Sequence, residues 1–435
     1  MSTTRILFFV GAITIASQAL GQAPKPPVPA PLQQPKKQKV SKPISLSDAP
    51  KASKPVPLGG KAPAASKPVP LGQATKPKPR KAAMSLKPKR KLKSFPRKQK
   101  KLNLIGGDQI MLVGDGLIEQ MQKYGYLEYR LTVQNQGKSL HFRNIGWTGD
   151  TPAGIARDGL GTRQAGHEPA NEGWVQLQKQ IAEMKPSVAI IGYGMASSLD
   201  GSSLEQFKAE YQALVAHIKA NAAKKNPLRL VFLSPIAHEN LGGKLPDGEE
   251  HNLKLEKYRE VVGDLAKEHD AWFVDLYRFL QRRPRSTIPP FTRDGIHLNE
   301  YGYWTMAAAT EYSVGYLSTT YRFSILEDGT ERQGGYGVNL SNINRKKEGI
   351  TLNAKAEALP PFFSGTSPSD AVRTRTSVGR IQIQGYPEGD YTLAVDGREV
   401  LTAPLGDWIS GAMIHEGPDI EVGKKIRKLI IDKNE

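Results

Sequence analysis

Gln109-Ile110-Met111-Leu112-Val113-Gly114-Asp115-Gly116-Leu117 is the stretch on which the reading of this 435-residue chain turns. An apolar run with no polar break reads as a strand buried on both faces. The Gly-Asp-Gly that follows, opening into a helical pattern, reads as a strand-to-helix junction. Working outward, strand-like runs recur at Ser139–Ile145, Ser187–Gly192, Leu228–Leu233 and Ala271–Asp275. Longer helix-period stretches lie between them, clearest at Ser203–Ala223 and Glu249–His269. Ser203 with Gln206 three residues on is a capping-box arrangement that marks a helix start. Five short strands alternating with helices predict an α/β domain with a parallel sheet covered on both faces. Ligands of such sheets bind beyond the carboxyl ends of the strands. Three loop sequences fall there: Gly114-Asp115-Gly116-Leu117, Asn144-Ile145-Gly146-Trp147-Thr148-Gly149-Asp150 and Gly192-Tyr193-Gly194-Met195. A fourth, Asp294-Gly295-Ile296-His297, lies far downstream.

Acyl transfer from an ester needs a nucleophile, a base to take its proton and donors aimed at the oxyanion. His297 suits the base, with Asp294 three residues earlier to orient the imidazole and stabilise its charged form. Taken alone, the pair reads equally as a loop histidine beside an unrelated acid. The order, spacing and placement of all four blocks resemble the SGNH (GDSL) hydrolase family. That family has Gly-Asp-Ser-Leu, a Gly in the second block, Gly-x-Asn-Asp and Asp-x-x-His. The resemblance implies a three-layer α/β/α flavodoxin-like domain with a five-stranded parallel sheet, at about residues 102–317. It implies hydrolysis of carboxylic esters, whether acetylated sugars, acyl lipids or small esters, with no cofactor. Carried over by position, His297 and Asp294 are the catalytic pair, and the backbone N–H groups of Gly116 and Gly149 form the oxyanion hole. Two positions depart from the family: the nucleophile reads Gly116 and the third oxyanion donor reads Gly194. Such losses cost on the order of 10²–10³ for a donor and ~10⁶ for a triad serine. The expectation is an impaired esterase, or a non-catalytic ligand- or envelope-binding protein on the same scaffold. Water activated by His297, or a neighbouring hydroxyl (Thr148, Ser197 or Tyr193), offers an alternative route.

Asp115, Asp150, Tyr193, His238 and Glu239 are candidate substrate contacts, the last two because they follow the fourth strand. Arg143 with Asn144 is a weaker candidate of the same kind. A solvated loop residue is the competing reading for each. No metal site is expected, since His238, Glu239 and His297 show no ligand spacing.

Composition divides the rest of the chain. The absence of cysteine excludes disulfides, thiol catalysis and cysteine-held metals. Residues 1–21 read as an export signal, with Arg5, an apolar core from Ile6 to Ala16 and the small-residue site Ala19-Leu20-Gly21. The apolar run is shorter than a bilayer span, and no later segment is long and apolar enough for one, so an extracytoplasmic protein, secreted or periplasmic, is expected. Of the net charge of +19, residues 22–101 carry 22 Lys and Arg against one acid, Asp48. This Lys-, Pro- and Ala-rich stretch repeats Ser53-Lys54-Pro55-Val56-Pro57-Leu58-Gly59 at Ser66–Gly72, and reads as a disordered, extended linker. Its basic end, Lys87–Lys101, is the only feature suited to an anionic envelope polymer; the near-neutral remainder predicts no specific nucleic-acid binding. After Tyr316 the alternation becomes strand-like with turn sequences, predicting a small β-rich module over 318–435 closed by a helix from Pro418 to Lys433. Trp408 there is either a sugar-stacking platform or the anchor of a small core.

Overall fold

A computed structural model describes residues 92–157, 172–281, 288–331, 336–365, 372 and 376–435, with the backbone of 4–10 and 15–17. The spacer at 22–91, its repeats and the expected cleavage site lie outside the described residues. Five strands form the main sheet: β1 (Gln109–Gly114), β2 (His141–Asn144), β3 (Val188–Gly192), β4 (Arg229–Leu233) and β5 (Trp272–Val274). All neighbours are parallel, in the order β2-β1-β3-β4-β5. This is the flavodoxin-like order, as expected.

The helices that position the site are α1 (Gly116–Glu119), α2 (Tyr126–Val133), α3 (Glu172–Met184), α4 (Met195–Leu199), α5 (Leu204–Ala220), α6 (Glu249–Glu268) and α7 (Glu300–Ser313). The two-residue period of a strand sorts the apolar runs between two cores. Ile110, Leu112, Val188, Ile190, Val231 and Leu233 pack with Leu127 and Leu131 of α2 and Tyr303 and Met306 of α7. Met111, Val113, Ala189, Ile191 and Phe232 face the other way, against Ile181 of α3, Phe207 and Leu214 of α5 and Val262 of α6. Three layers follow from that alternation. Ser203 caps α5 by accepting the Gln206 N–H at 3.1 Å, and Asn299 caps α7 through the Gly302 N–H at 2.9 Å. Each such cap contributes about 1 kcal/mol.

Ahead of the main sheet the packed chain runs from Leu92, ten residues before the boundary that composition suggested. Phe95 lies on Phe273 with ring centroids 4.7 Å apart, under the Arg259 guanidinium. Arg259 is itself held by Asp275 at 2.5 Å and by the Lys93 carbonyl at 2.9 Å. Gly263 of α6 leaves room for the Phe95 ring, which a Cβ there would meet at 2.4 Å. Trp272 Nε1 donates to the Lys100 carbonyl, and Gln99 to that of Phe273. One aromatic ring and a few backbone bonds thus anchor a segment whose charge density reads as solvated.

The C-terminal module is β-rich, as expected. Its strands are β6 (Tyr321–Ile325), β7 (Val338–Lys346), β8 (Gly349–Ala356), β9 (Gly379–Ile383), β10 (Asp390–Val395), β11 (Arg398–Pro404) and β12 (Ala412–Ile414). One sheet runs β12-β9-β6. The other runs from β11 and β10 to β8 and β7, with Thr4–Val10 between β10 and β8, antiparallel to both. Trp408 is 1 % exposed, and its Nε1 donates to the carbonyls of Tyr391 and Ala403. It anchors the core, and a sugar-stacking role is excluded by its burial. Helix α8 (Pro418–Asn434) returns to the first domain. Arg427 sits over the Tyr126 ring at 4.2 Å and donates to the Tyr124 carbonyl at 2.6 Å.

Candidate active site

The carboxyl ends of β1, β3 and β4 open into a cleft of about 240 Å³. Its lining includes Asp115, Gly116, Thr148, Gly149, Tyr193 and His297, together with apolar side chains such as Leu117, Met195, Leu199 and Ile236. The four sequence blocks therefore meet at one place.

The histidine wall is built by a tight loop. Thr292 bridges Leu298, and the Arg293 N–H donates to the His297 carbonyl at 2.9 Å. Inside the loop, Asp294 Oδ1 accepts the N–H of Ile296 at 3.1 Å and of His297 at 2.8 Å. Its Oδ2 bonds His297 Nδ1 at 2.7 Å. Partial burial pushes the Asp294 carboxyl up, but the hydrogen bonds from His297 and Ile296 outweigh it and hold the pKa below the usual aspartate value. The bond at Nδ1 leaves Nε2 as the working nitrogen of the imidazole. Among the described residues no hydroxyl hydrogen-bonds that ring.

The opposite wall starts at Asp115, the N-cap of α1. Its buried carboxylate accepts the backbone N–H groups of Leu117, Met195 and Ala196 at 3.1, 3.2 and 3.4 Å. It so ties the end of β1 to the start of α4. Burial raises its pKa to about 6 against the pull of those bonds, and Asp150 adds to the rise. Gly116 follows. A Cβ built there lies nearest to Thr148, 3.3 Å from Oγ1 and 3.8 Å from Cα and Cβ. A small side chain there requires the Thr148 hydroxyl to yield slightly. Gly194 differs: its φ is +131°, and a Cβ would lie 3.3 Å from Pro235 Cγ. An L-residue is strained at that backbone angle.

Several expected contacts turn away from the cleft. Asp150 is fully buried and ion-paired with Arg157 Nε at 2.8 Å, while Arg157 also reaches the Ile145 carbonyl at 2.6 Å. That pair braces the loop carrying Gly149. Tyr193 lines the cleft, but its hydroxyl lies 3.4 Å from Asp150 Oδ2. Glu239 Oε2 accepts from the N–H groups of Phe291 and Thr292 and the Thr292 hydroxyl at 2.7–3.0 Å. His238 packs beneath the Asp294–His297 loop, against Gly295. Both are beyond the lining because the chain after β4 turns under that loop once Ser234, Pro235 and Ile236 have formed the wall. Ser197 is buried outside the lining. Thr148 is the alternative hydroxyl that does face the cleft, held by the Glu119 carboxylate through its N–H at 3.0 Å and through its hydroxyl. Nothing in the sequence marked Glu119. Among the described residues no cluster of three or more His, Cys, Asp or Glu could hold a metal.

Comparison with known proteins agrees with this architecture. Residues 112–305 match the model of the GDSL-like lipase/acylhydrolase family. A gut microbial diltiazem-metabolizing enzyme has a similar structure, with a TM-score of 0.56, 16 % identity, and coverage of 78 % of this chain and 80 % of that one. An acetylxylan esterase from Geobacillus stearothermophilus matches at a TM-score of 0.38 and 16 % identity, covering 50 % of this chain and 98 % of its own. A sequence search of curated proteins gives no match. Residues 112–305, which carry the parallel sheet and the cleft at its carboxyl edge, are thus similar to the GDSL-like lipase/acylhydrolase family.

Proposed function

We propose that this chain is an exported SGNH/GDSL-type esterase-fold protein whose cleft receives a small carboxylic ester or acetylated sugar, with turnover impaired by glycine at positions 116 and 194. The observation that carries the reading is the shared cleft lining of Gly116, Gly149 and His297, with His297 Nδ1 bound to Asp294. On this reading Asp294 orients the imidazole, and the backbone N–H groups of residues 116 and 149 face the carbonyl oxygen. The remaining route is a single displacement. Water attacks the acyl carbon, its proton passes to His297 Nε2, and the alcohol leaves with that proton. Without a serine, no acyl-enzyme forms. The test compares the protein with Gly116→Ser on a short-chain aryl acetate. The parent should turn over slowly or not at all, and the serine variant should gain at least ~10²-fold. A folded Gly116→Ser with no gain overturns the positional assignment.

The second reading, a non-catalytic binder, is favoured by the backbone at Gly194, which disfavours any side-chain amide there. It predicts saturable binding of an acetylated sugar without product. Export and a role of the basic spacer on an anionic envelope polymer belong to the same proposal. No helix among the described residues is long and apolar enough to cross a membrane. N-terminal sequencing of the exported protein should begin at Gln22.

A further inference from the structure

Behind the histidine loop, three polar side chains form a hydrogen-bonded column that the cleft chemistry does not use. Ser198 of α4 donates its hydroxyl to the Met195 carbonyl at 2.6 Å and lies 2.7 Å from His251 Nε2. His251, near the start of α6, faces His238 with Nδ1 against Nδ1 at 3.1 Å. The rings meet edge to face, 5.3 Å apart. His238 is clamped: a Cβ on Gly295 would lie 2.7 Å from its Nε2, and a Cβ on Gly248 would lie 2.7 Å from its Cγ. Asn252 fixes its backbone from both sides, bonding the N–H and the carbonyl at 2.8 Å. The next residue, Glu239, donates its N–H to the Gly295 carbonyl at 2.8 Å. The column therefore runs from the cleft wall at α4, through α6, to the loop that presents Asp294 and His297.

Its protons are ordered by its donors. The Ser198 hydroxyl hydrogen goes to Met195, so Ser198 accepts from His251 Nε2–H. His251 Nδ1 is then bare and accepts from His238 Nδ1–H. One added proton is tolerated, on His238 Nε2. A second, on His251 Nδ1, sets two N–H groups against each other and removes the bond. We propose that His238, His251 and Ser198 are an acid-sensitive brace that positions the Asp294–His297 loop against α4 and lets go when His251 takes a proton.

Burial opposes that proton first, and charge on His238 and on Lys254 adds to the opposition, so the pKa of His251 lies below the ordinary histidine value. The other charged groups beside the pair are Glu239, engaged by Phe291 and Thr292, and Asp294 with His297 across Gly295. The brace is whole at neutral pH and is lost below the usual histidine range. It does not require that the cleft turn over an ester.

The experiment is an NMR titration of the intact protein from pH 7.5 to 4.5 with ¹⁵N-histidine, following ring nitrogens and the amides of Ser198, Glu239 and Gly295. At pH 7.5 His251 should show a protonated Nε2 and a bare Nδ1. Amides at both ends of the column should share the midpoint of His251. In His251→Gln, whose amide can bond both neighbours, that step should vanish at both ends. Ser198→Ala, which keeps the histidine pair, should move the midpoint by about half a pH unit or more, and carries the test if His251→Gln does not fold. A Nδ1–H tautomer on His251, or a step at Gly295 unchanged by both variants, overturns the proposal.

Discussion

On one side of the cleft Asp294 takes three hydrogen bonds, two from backbone N–H groups and one from the His297 ring. On the other side Asp115 also takes three, all from backbone N–H groups. The count is the same and the outcome opposite. Asp294 is held below its usual pKa, whereas full burial drives Asp115 up to about 6. Asp294 lies in a half-exposed loop and its donors prevail; Asp115 sits deep in the protein and desolvation prevails. The Asp294 side keeps a group aimed at a ligand, and the Asp115 side hands over to a residue with no side chain. A wall whose polar atoms serve its own loops keeps its shape without presenting any side chain to the cleft.

The sharpest way to break this contrast is in the Gly116→Ser background. There His297→Ala should erase the gained esterase rate, a loss of at least ~10²-fold, while thermal unfolding stays unchanged. Asp294→Asn in the same background should cost ~10²–10⁴-fold through the wrong imidazole tautomer; an equal rate would show that the loop alone orients His297. Gly194→Asn should fail to help. Its backbone strain, ~1–3 kcal/mol, should appear as a Tm lower by several degrees. For Asp115, whose folded pKa lies above that of the unfolded chain, ionisation opposes folding. Its contribution is most favourable below about pH 4 and declines as pH rises through about 6, by on the order of 3 kcal/mol at most. A ¹³C-carboxylate titration should place its midpoint near 6, and a midpoint under 4.5 would remove the contrast. Phe95→Ala should have the smallest effect, about 1–2 kcal/mol by denaturant unfolding, without altering the cleft.

Much of the fold was legible because β1, β3 and β4 are unbroken apolar runs closed by turn residues, and both cores follow from strand alternation. The meeting of Gly116 and Gly149 was legible because strand ends in a parallel sheet share one edge, whereas bringing His297 to them rested on the four-block resemblance. What escaped the sequence was direction. His238 and Glu239 follow a strand that ends at the cleft, yet beyond Ile236 the chain carries them under the neighbouring loop. Asp150 adjoins Gly149, but its Arg157 partner sits seven residues on with no period to betray it. Lys93–Lys101 reads as solvated by charge, and a single aromatic, Phe95, carries no pattern that reveals it as an anchor. The burial of Trp408 depends on sheets paired across long sequence separations, which local pattern does not encode.

The backbone at position 194 constrains substitution as well as chemistry. A φ of +131° is open to glycine and closed to nearly everything else, whereas at Gly116 the backbone is ordinary and a Cβ presses only on the Thr148 hydroxyl among its nearest atoms. A side chain introduced at 116 asks only Thr148 to yield, while one at 194 asks the main chain itself to rearrange.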